Sequence, residues 1–319
     1  MSYQQEKEVA IAAVLQAAKL CESVRKDIPP AIEKKDKSPV TVADFGSQAI
    51  ICKALKEVFP DTPIVGEEDA TALRQEGQEA TIAKITGYVQ EVISDATTDN
   101  VLDWIDYGNG EVGKRFWTLD PIDGTKGFLR QDQYAIALAL IEDGEVKFGI
   151  LGCPALSFDE STTGYIFYAT RGEGSYRMPI AGGDTTKLQV VANDDVSRFR
   201  FVESVEASHG NQEQQNAIAK AVGIKTDSVR VDSQAKYGIV SSGEAALYLR
   251  LPSPKYPNYR ENIWDHAAGA IVVEEAGGTV TDMYGKPLDF ATASKMHDNR
   301  GVVVSNGPIH EAVLKELNS

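Results

Sequence analysis

The chain has 319 residues and a formal net charge of −15 at pH 7, and hydrophobic residues make up 42% of it. This composition is typical of a globular protein that buries a substantial core. The strong negative charge argues against a general affinity for nucleic acid or for an anionic membrane surface. An anionic substrate is not excluded, because bound metal ions and a few local cations can reverse the field inside one pocket.

The first part of the chain predicts long helices followed by short strands. EKEVAIAAVLQAAKLCESV has the apolar spacing of an amphipathic helix. A polar loop, KKDKSP, precedes a second helix that is predicted to start near Thr41 and to end before Pro60. TPIVGEED predicts a short strand that runs into an acidic turn, and residues 70–107 predict mostly helix. RFWTLD predicts a strand that ends at Asp120 and Asp123.

The remainder of the chain predicts hairpins and then a mixture of strands and helices. YAIALALIEDGEVKFGILGCP predicts a hairpin that turns at Asp143 and Gly144, and TGYIFYATRGEGSYR predicts a second hairpin. Strands and helices continue to alternate to the end, which favours a layered α/β fold. A division near Leu188 is expected, with residues 1–187 carrying most of the candidate metal ligands and residues 188–319 the rest of the site.

Three features bear on the cellular location. No apolar run is long enough to span a bilayer, and MSYQQEKEVA has neither the apolar core of a secretory signal nor the composition of a transit peptide. Cys21, Cys52 and Cys153 lie far apart without metal-type spacing, which predicts reduced thiols in the cytoplasm. The sequence leaves open a regulatory disulfide and the oligomeric state.

Five carboxylates stand at the predicted ends of helices and strands, where α/β folds place their sites. They are Asp44, Glu67, Asp120, Asp123 and Asp265. Each alone has a structural interpretation, such as a surface turn for DPID or a helix N-cap for Asp265. Brought together, they would repel one another strongly unless cations neutralised them, and all-oxygen ligation suits Mg²⁺. The carbonyl of Ile122 is a further candidate ligand, because Pro121 stiffens the loop.

In DPIDGT and WDHAAG, the order, spacing and flanking residues resemble the signature segments of the lithium-sensitive, magnesium-dependent phosphatases related to inositol monophosphatase. VTVADFGSQA, VGEED, DPIDGTKGFLR, DSQAKYG, YLRLP and IWDHAAG resemble the 3′(2′),5′-bisphosphate nucleotidase branch and span nearly the whole chain. The resemblance implies a sugar-phosphatase-like fold with αβαβα layers. It also implies a phosphoric monoester hydrolase that sodium and lithium inhibit.

The resemblance also implies roles at the metal site. Two or three Mg²⁺ ions are implied, with Asp120 bridging two of them and, as in some relatives, a third, weaker ion near Glu67 and Asp44. The remaining implied metal ligands are Glu67, Ile122, Asp123 and Asp265. The backbone of Gly124 and Thr125 would hold the phosphate, and Thr125 would donate a hydrogen bond to Asp44, so that this pair activates the attacking water.

Substrate choice is assigned by the same resemblance to residues further along the chain. The implied contacts to adenosine 3′,5′-bisphosphate are Ser208, His209, Ser233, Lys236, Arg250 and Asp265. Lys236, with Ser233 expected one helical turn earlier on the same face, and Arg250 are donors suited to a second phosphate. Arg250 could instead pair with a surface carboxylate, and His209 could be an ordinary loop residue.

The expected reaction is hydrolysis of adenosine 3′,5′-bisphosphate to AMP and phosphate, with 3′-phosphoadenylyl sulfate as a second substrate. The implied role is the recycling of a by-product of sulfate-donor metabolism. Two alternatives stand beside it. One is an inositol-phosphate phosphatase, acting for example on inositol 1,4-bisphosphate, and the other is a non-catalytic nucleotide sensor. The complete set of predicted metal and water-activating residues counts against the sensor.

Overall fold

The computed structural model describes residues 3–27, 38–195, 197–205, 212–253, 255–256 and 258–319. Their α-helices are α1 (Gln4–Lys26), α2 (Ser38–Val58), α3 (Glu79–Gln90), α4 (Thr98–Asp106), α5 (Thr125–Leu129), α6 (Gln212–Ala221), α7 (Ala235–Ser241), α8 (Ala267–Glu274) and α9 (His310–Leu317). A short 3-10 helix, Ile263–Asp265, stands just before α8.

The strands form two sheets. The first contains, in spatial order, β1 (Ile64–Gly66), β2 (Arg115–Asp123), β3 (Ala135–Glu142), β4 (Glu145–Ser157), β5 (Thr163–Thr170), β6 (Gly174–Pro179) and β7 (Thr186–Lys187). The second contains β8 (Phe201–Glu203), β9 (Val229–Arg230), β10 (Leu247–Arg250), β11 (Thr279–Thr281) and β12 (Val302–Ser305), in the spatial order β11-β12-β10-β8-β9. In the first sheet only β1 and β2 pair in parallel, and the later pairs are antiparallel.

Alternation along the strands divides the apolar side chains among three cores. Trp117 of β2 faces the core under α1 and α2, whereas its neighbour Phe116 faces the core between the sheets, which contains α7 and α8. On β12, Val302 lies in that same middle core and Val303 in the third core, with α6 and α9. The order of layers is therefore αβαβα, as predicted.

Most predicted elements are confirmed. Both hairpins form, and the first turns at Asp143 and Gly144, which have φ values of 50° and 79°. The predicted loop KKDKSP is wrong at Ser38 and Pro39, which form the first turn of α2. Proline fits there because an N–H in the first turn has no partner within the helix. The other residues of that loop lie outside the described residues.

The last strand of the first sheet, β7, ends at Lys187, and the first strand of the second sheet, β8, begins at Phe201. The division of the chain near Leu188 stays a prediction. Cys21, Cys52 and Cys153 are free and buried, so each packs as a small apolar side chain. Among the described helices, none combines the length and the apolar character needed to cross a membrane.

Candidate active site

The two aspartates of DPID lie at the end of β2, where strand pairing is irregular. Asp120 pairs with Ala137 of β3 and Asp123 pairs with Ala135, so three steps along β2 match two along β3. This mismatch is a β-bulge. It takes the backbone of Ile122 out of the regular ladder, at the position where the sequence predicts a carbonyl ligand.

The chain turns sharply after Asp123, and two glycines permit the turn. Gly124 has a φ of 90°, and a Cβ on it would lie 2.8 Å from the Cβ of Ser233. Gly127 is more tightly enclosed, because a Cβ on it would lie 2.0 Å from the backbone oxygen of Gln133. The DGT turn is therefore fixed by contacts that a side chain would break.

We expect Gly127→Ala to lower the free energy of unfolding by about 1–3 kcal/mol, because the backbone of Gln133 cannot move aside easily. Gly87→Ala is the matched control, since Gly87 lies in α3 and an alanine methyl there would meet nothing within 4 Å. Alanine there should raise the free energy of unfolding by about 0.5–1 kcal/mol. Urea unfolding measures both, and equal stability of Gly127→Ala and the wild type would contradict the expectation.

Helix α2 ties the two acidic loops together through a pair of buried polar residues. The Ser47 hydroxyl donates to the carbonyl of Pro121 at 3.1 Å. The Gln48 side chain accepts from the backbone N–H of Glu68 at 3.1 Å and donates to the carbonyl of Ile105 at 2.9 Å. Sequence reasoning missed this pair, although two polar residues inside the apolar stretch of FGSQAII were a usable signal.

The candidate carboxylates raise one another's pKa. Burial, followed by the negative charge of Glu67, raises the pKa of Asp120 well above its usual range. Burial, followed by the negative charge of Asp265, raises the pKa of Glu67. The pKa of Asp265 is raised to about 6, chiefly by burial. The pKa of Asp44 is also raised, by burial and then by Glu68 and Glu67. The structure thus brings the predicted acidic residues into one repulsive cluster.

A hard cation would relieve this crowding. Asp120 Oδ1 is buried without a hydrogen-bond partner, and the candidate donors are oxygens, which suit Mg²⁺. Within the described ranges, however, no three Asp, Glu, His or Cys side chains already surround one point that could hold a metal ion. Asp123 Oδ2 accepts from the backbone N–H of Gln234 at 2.5 Å. The residues fit a cation chemically, because their donors are oxygens and Asp120 Oδ1 has no hydrogen-bond partner.

Asp265 occupies a different helical position from the one expected. It ends the 3-10 helix, and α8 starts at Ala267, so the expectation that Asp265 opens the WDHAAG helix is wrong. Asn262 is the N-cap of the 3-10 turn, and Asp265 is the acidic partner in its capping box, accepting from the Asn262 N–H at 2.9 Å. The extra turn keeps the Asp265 carboxylate ahead of α8.

Ser233 also differs from the expectation. It has a φ of 67° and precedes α7, so the prediction that it lies one helical turn before Lys236 on a shared face is wrong. Its hydroxyl accepts from the N–H of Ala235 at 3.2 Å, which closes the turn into the helix. Both Ser233 and Lys236 nevertheless line the same cavity.

Gln234 connects the DPID segment to the WDHAAG segment, and sequence reasoning missed it. Its backbone N–H donates to Asp123, its side-chain amide donates to the carbonyl of Trp264 at 2.9 Å, and its side-chain oxygen accepts from the N–H of Gly269 at 3.1 Å. Its place inside the quoted DSQAKYG motif was the available signal. The backbone and the side chain of one buried residue therefore contact two of the candidate acidic segments.

A cavity of about 250 Å³ joins the two halves of the predicted site. Its predicted site residues are Asp123, Gly124, Thr125, Ser233, Lys236, Arg250 and Asp265. Gln234, Tyr248 and His266 line it as well. Acidic groups and cations thus share one opening, which is the arrangement that an anionic substrate held through metal ions would need.

Lys236 and Arg250 are the cavity cations that were predicted from the sequence. Lys236 is buried, with its Nζ 3.4 Å from the carbonyl of Val231 and 5.1 Å from the ring centre of Tyr248. Burial lowers the pKa of Lys236 to about 8, against the opposing effect of Asp123. Arg250 ends β10 and is one quarter exposed. Both side chains face the cavity from the second half of the chain.

A buried carboxylate, Glu261, holds Arg250 in place. The Arg250 Nε donates to Glu261 Oε1 at 3.1 Å, and His266 Nε2 lies 3.5 Å from the other carboxylate oxygen. The ring of His266 is fixed on its opposite side, where Nδ1 meets the hydroxyl of Tyr237 at 2.7 Å. Burial would raise the pKa of Glu261, but His266 and Arg250 together lower it to about 2. Pairing of Arg250 with a surface carboxylate is therefore excluded.

The Thr125–Asp44 hydrogen bond implied by the resemblance is not formed in the structure. Asp44 is buried, Thr125 is exposed, and neither side chain is hydrogen-bonded to the other. Their different surroundings give the physical reason, because Asp44 is buried on α2 whereas Thr125 is the exposed first residue of α5. Ser208 and His209 lie outside the described residues, so their implied contacts stay predictions.

Comparisons with known proteins bear on this arrangement. Residues 2–319 match the inositol monophosphatase family. The chain is 43% identical to a 3′(2′),5′-bisphosphate nucleotidase of Schizosaccharomyces pombe, over 99% of this chain and 95% of the relative. It is 42% identical to 3′(2′),5′-bisphosphate nucleotidase 1 of Arabidopsis thaliana, over 99% of this chain and 96% of the relative.

Solved structures show the same fold. An IMPase from Thermotoga maritima aligns with a TM-score of 0.66 at 23% identity, over 98% of this chain and 97% of its own. CysQ from Bacteroides thetaiotaomicron, described as a bacterial member of the inositol monophosphatase family, aligns with a TM-score of 0.64 at 21% identity, over 95% and 97% of the two chains. The family is metal-dependent. The chain belongs to the inositol monophosphatase family, on the branch of the 3′(2′),5′-bisphosphate nucleotidases.

Proposed function

We propose that this protein hydrolyses adenosine 3′,5′-bisphosphate to AMP and phosphate, and that it also accepts 3′-phosphoadenylyl sulfate. The observation that carries the proposal is that Asp123 and Asp265 line the same cavity as the predicted cations Lys236 and Arg250, together with Lys126. A monophosphate substrate needs only the acidic end and its metal ions. Two further cations in the same opening suit a substrate with a second phosphate. The names of the relatives at 42–43% identity support the same substrate class.

Two or three Mg²⁺ ions would be held by the carboxylates of Glu67, Asp120, Asp123 and Asp265 and by the carbonyl of Ile122. Bound Mg²⁺ supplies charge neutralisation at the phosphate and lowers the pKa of water. The protein's own groups orient the reaction. Thr125 and the backbone at Gly124 would position the reacting phosphate, and Asp44 would accept the proton of the attacking water through the Thr125 hydroxyl once the carboxylates carry their charge.

At the other end of the substrate, Lys236 and Arg250 would bind the phosphate that does not react, with Ser233 as a neutral donor between them and the turn at Gly124. Ser208 and His209 would approach the nucleoside. Each of these groups would bind the ground state and the transition state alike, so we expect them to act on KM more than on kcat.

The proposal is tested by measuring phosphate release from adenosine 3′,5′-bisphosphate, 3′-phosphoadenylyl sulfate, 3′-AMP, inositol 1-phosphate and inositol 1,4-bisphosphate in the presence of Mg²⁺. Adenosine 3′,5′-bisphosphate should have the highest kcat/KM. A preference for an inositol phosphate would assign the protein to the other activity of the family. Binding of the nucleotide without any phosphate release would identify a sensor.

Lithium should inhibit the enzyme without competing with the nucleotide. A weakly held, partly hydrated Mg²⁺ is the cation that a small hard monovalent ion replaces most easily. Steady-state kinetics at fixed Mg²⁺ should therefore show kcat falling as lithium rises, even at saturating substrate. Restoration of full turnover by excess nucleotide alone would contradict a metal-site mechanism.

Removal of metal should make stability depend on pH. Because the folded state raises the pKa of Asp265 to about 6, the metal-free protein binds protons more tightly when folded than when unfolded. Its free energy of unfolding should thus fall as pH rises from about 4 to about 6. Added Mg²⁺ should raise Tm more at pH 8 than at pH 5. Thermal unfolding with EDTA and with Mg²⁺ measures this, and a pH-independent Mg²⁺ effect would contradict it.

The three free, buried cysteines support a reducing compartment, and we place the protein in the cytoplasm on that basis.

A further inference from the structure

Arg250 is held by only one of its nitrogen atoms. Its Nε donates to Glu261, and in the part of the chain that the structure describes no hydrogen bond is formed by its two terminal nitrogens. Arg250 lines both the site cavity and a second cavity of about 220 Å³. The terminal nitrogens, which form the fork that recognises phosphate, are therefore available to a ligand.

Glu261 is itself firmly placed. Its backbone carbonyl accepts from the N–H of Met296 at 3.0 Å, and the next residue, Asn262, bridges to Lys295. Its side chain is 11% exposed, so water competes little for the carboxylate. Its second oxygen faces His266, at a distance longer than that of a good hydrogen bond. The contact with Arg250 is consequently the shorter of the two.

We propose that Glu261 is a positioning residue for substrate recognition, which aims the guanidinium of Arg250 at the non-reacting phosphate of the nucleotide. The inference rests on the proposed function for the identity of the ligand. Without Glu261, the long Arg250 side chain would have to be ordered by the substrate itself, and the loss of rotamer freedom would weaken binding. In the described residues, the side-chain contacts of Glu261 go to Arg250 and His266 and not to the candidate metal ligands, so turnover of bound substrate should change little.

The sign of the effect separates positioning from simple electrostatics. Glu261 is an anion near a site for anions, so its charge alone repels the substrate. If the charge were its only contribution, Glu261→Gln would tighten binding of adenosine 3′,5′-bisphosphate. If it positions Arg250, the same variant weakens binding.

The experiment compares Glu261→Gln with the wild type on adenosine 3′,5′-bisphosphate and on 3′-AMP, which lacks the remote phosphate. We expect KM for the bisphosphate to rise by roughly tenfold, kcat to stay within about threefold, and the 3′-AMP constants to change little. Glu142→Gln is the matched control, because Glu142 pairs with Arg115 at 3.3 Å on the first sheet, away from the cavity. It should leave both substrates unaffected.

Two further variants decide the mechanism. In an Arg250→Met background, Glu261→Gln should add no further loss on the bisphosphate, because the group that it positions is gone. Glu261→Asp keeps the charge and should recover part of the binding. Tighter binding by Glu261→Gln, equal losses on both nucleotides, or full additivity with Arg250→Met would each overturn the proposal.

Calorimetric binding of adenosine 3′,5′-bisphosphate to the wild type and Glu261→Gln provides a readout that needs no turnover. If the wild type releases no phosphate from either nucleotide, the proposed function fails, while a tenfold weaker binding by the variant still supports the role of Glu261. If the wild type is active and the variant binds as well as the wild type, only the role of Glu261 fails. Should Glu261→Gln not fold, Glu261→Ala, which also removes the carboxylate, takes its place in both measurements.

Discussion

Asp120→Asn should lower kcat by at least about a thousandfold and, in the same protein, raise the Tm of the metal-free form. Both effects have one cause. Asp120 is buried, one of its oxygens has no partner, and its pKa is raised by burial and by Glu67. A carboxylate in this position costs stability when no cation is present, and an amide of the same shape removes that cost.

The loss of activity follows from the proposed ligand role. Stabilisation of transition-state charge by a metal ion is worth several kcal/mol, and a loss of about 4 kcal/mol corresponds to about a thousandfold in rate. The rate of phosphate release at saturating substrate measures kcat, and thermal unfolding in EDTA measures the Tm of the metal-free form. Added Mg²⁺ should also stabilise Asp120→Asn less than it stabilises the wild type.

Asp95→Asn is the control, because it removes the same single charge from an exposed position. It should change neither kcat nor the response of Tm to Mg²⁺. If Asp120→Asn kept its activity, or if it destabilised the metal-free protein, the acidic cluster would be a structural feature and the assignment of a metal site would fail.

The layers of the fold and the membership of the acidic cluster were predictable from the sequence because they depend on local patterns. The apolar residues of the hairpins and the Asp143–Gly144 turn are encoded by residues adjacent in the sequence. The gathering of Asp120, Glu67 and Asp265 followed from a general rule about strand ends and from a resemblance that spans most of the chain. The residue at which each short helix begins was less predictable.

Ser233 and Asp265 show why. Ser233 adopts a positive φ of 67° beside Gly124, where a Cβ at Gly124 would lie 2.8 Å from the Cβ of Ser233. Asp265 is set by a capping box with Asn262 inside a three-residue turn, which competes with α8 for the same segment. Gln48 and Gln234 act across the fold, through partners far away in sequence. Such long-range contacts leave only the faint signal of a polar residue in an apolar setting.

Lys236→Met should lower kcat/KM for adenosine 3′,5′-bisphosphate by about one to two powers of ten. The value of kcat/KM for 3′-AMP should barely change. A charge-assisted hydrogen bond contributes roughly 1.5–3 kcal/mol, and only the bisphosphate carries the remote phosphate that would receive it. Methionine keeps the length and the apolar stem of the side chain and removes the ammonium group, which lies 5.1 Å from the ring centre of Tyr248. Activity on the two nucleotides, measured side by side at saturating Mg²⁺, provides the comparison.

The pH dependence of kcat/KM provides a second, independent test of the role of Lys236. Burial lowers the pKa of Lys236 to about 8 in the free protein, and the protonated amine is the form that binds an anion. In the wild type, kcat/KM for the bisphosphate should therefore fall as pH rises through about 8, and the fall should be absent in Lys236→Met. Asp123 is the nearest opposing charge, so a role at the reacting end is the competing explanation. In that case kcat/KM would fall equally for both nucleotides. Arg250, positioned by Glu261, would then be the group that binds the second phosphate.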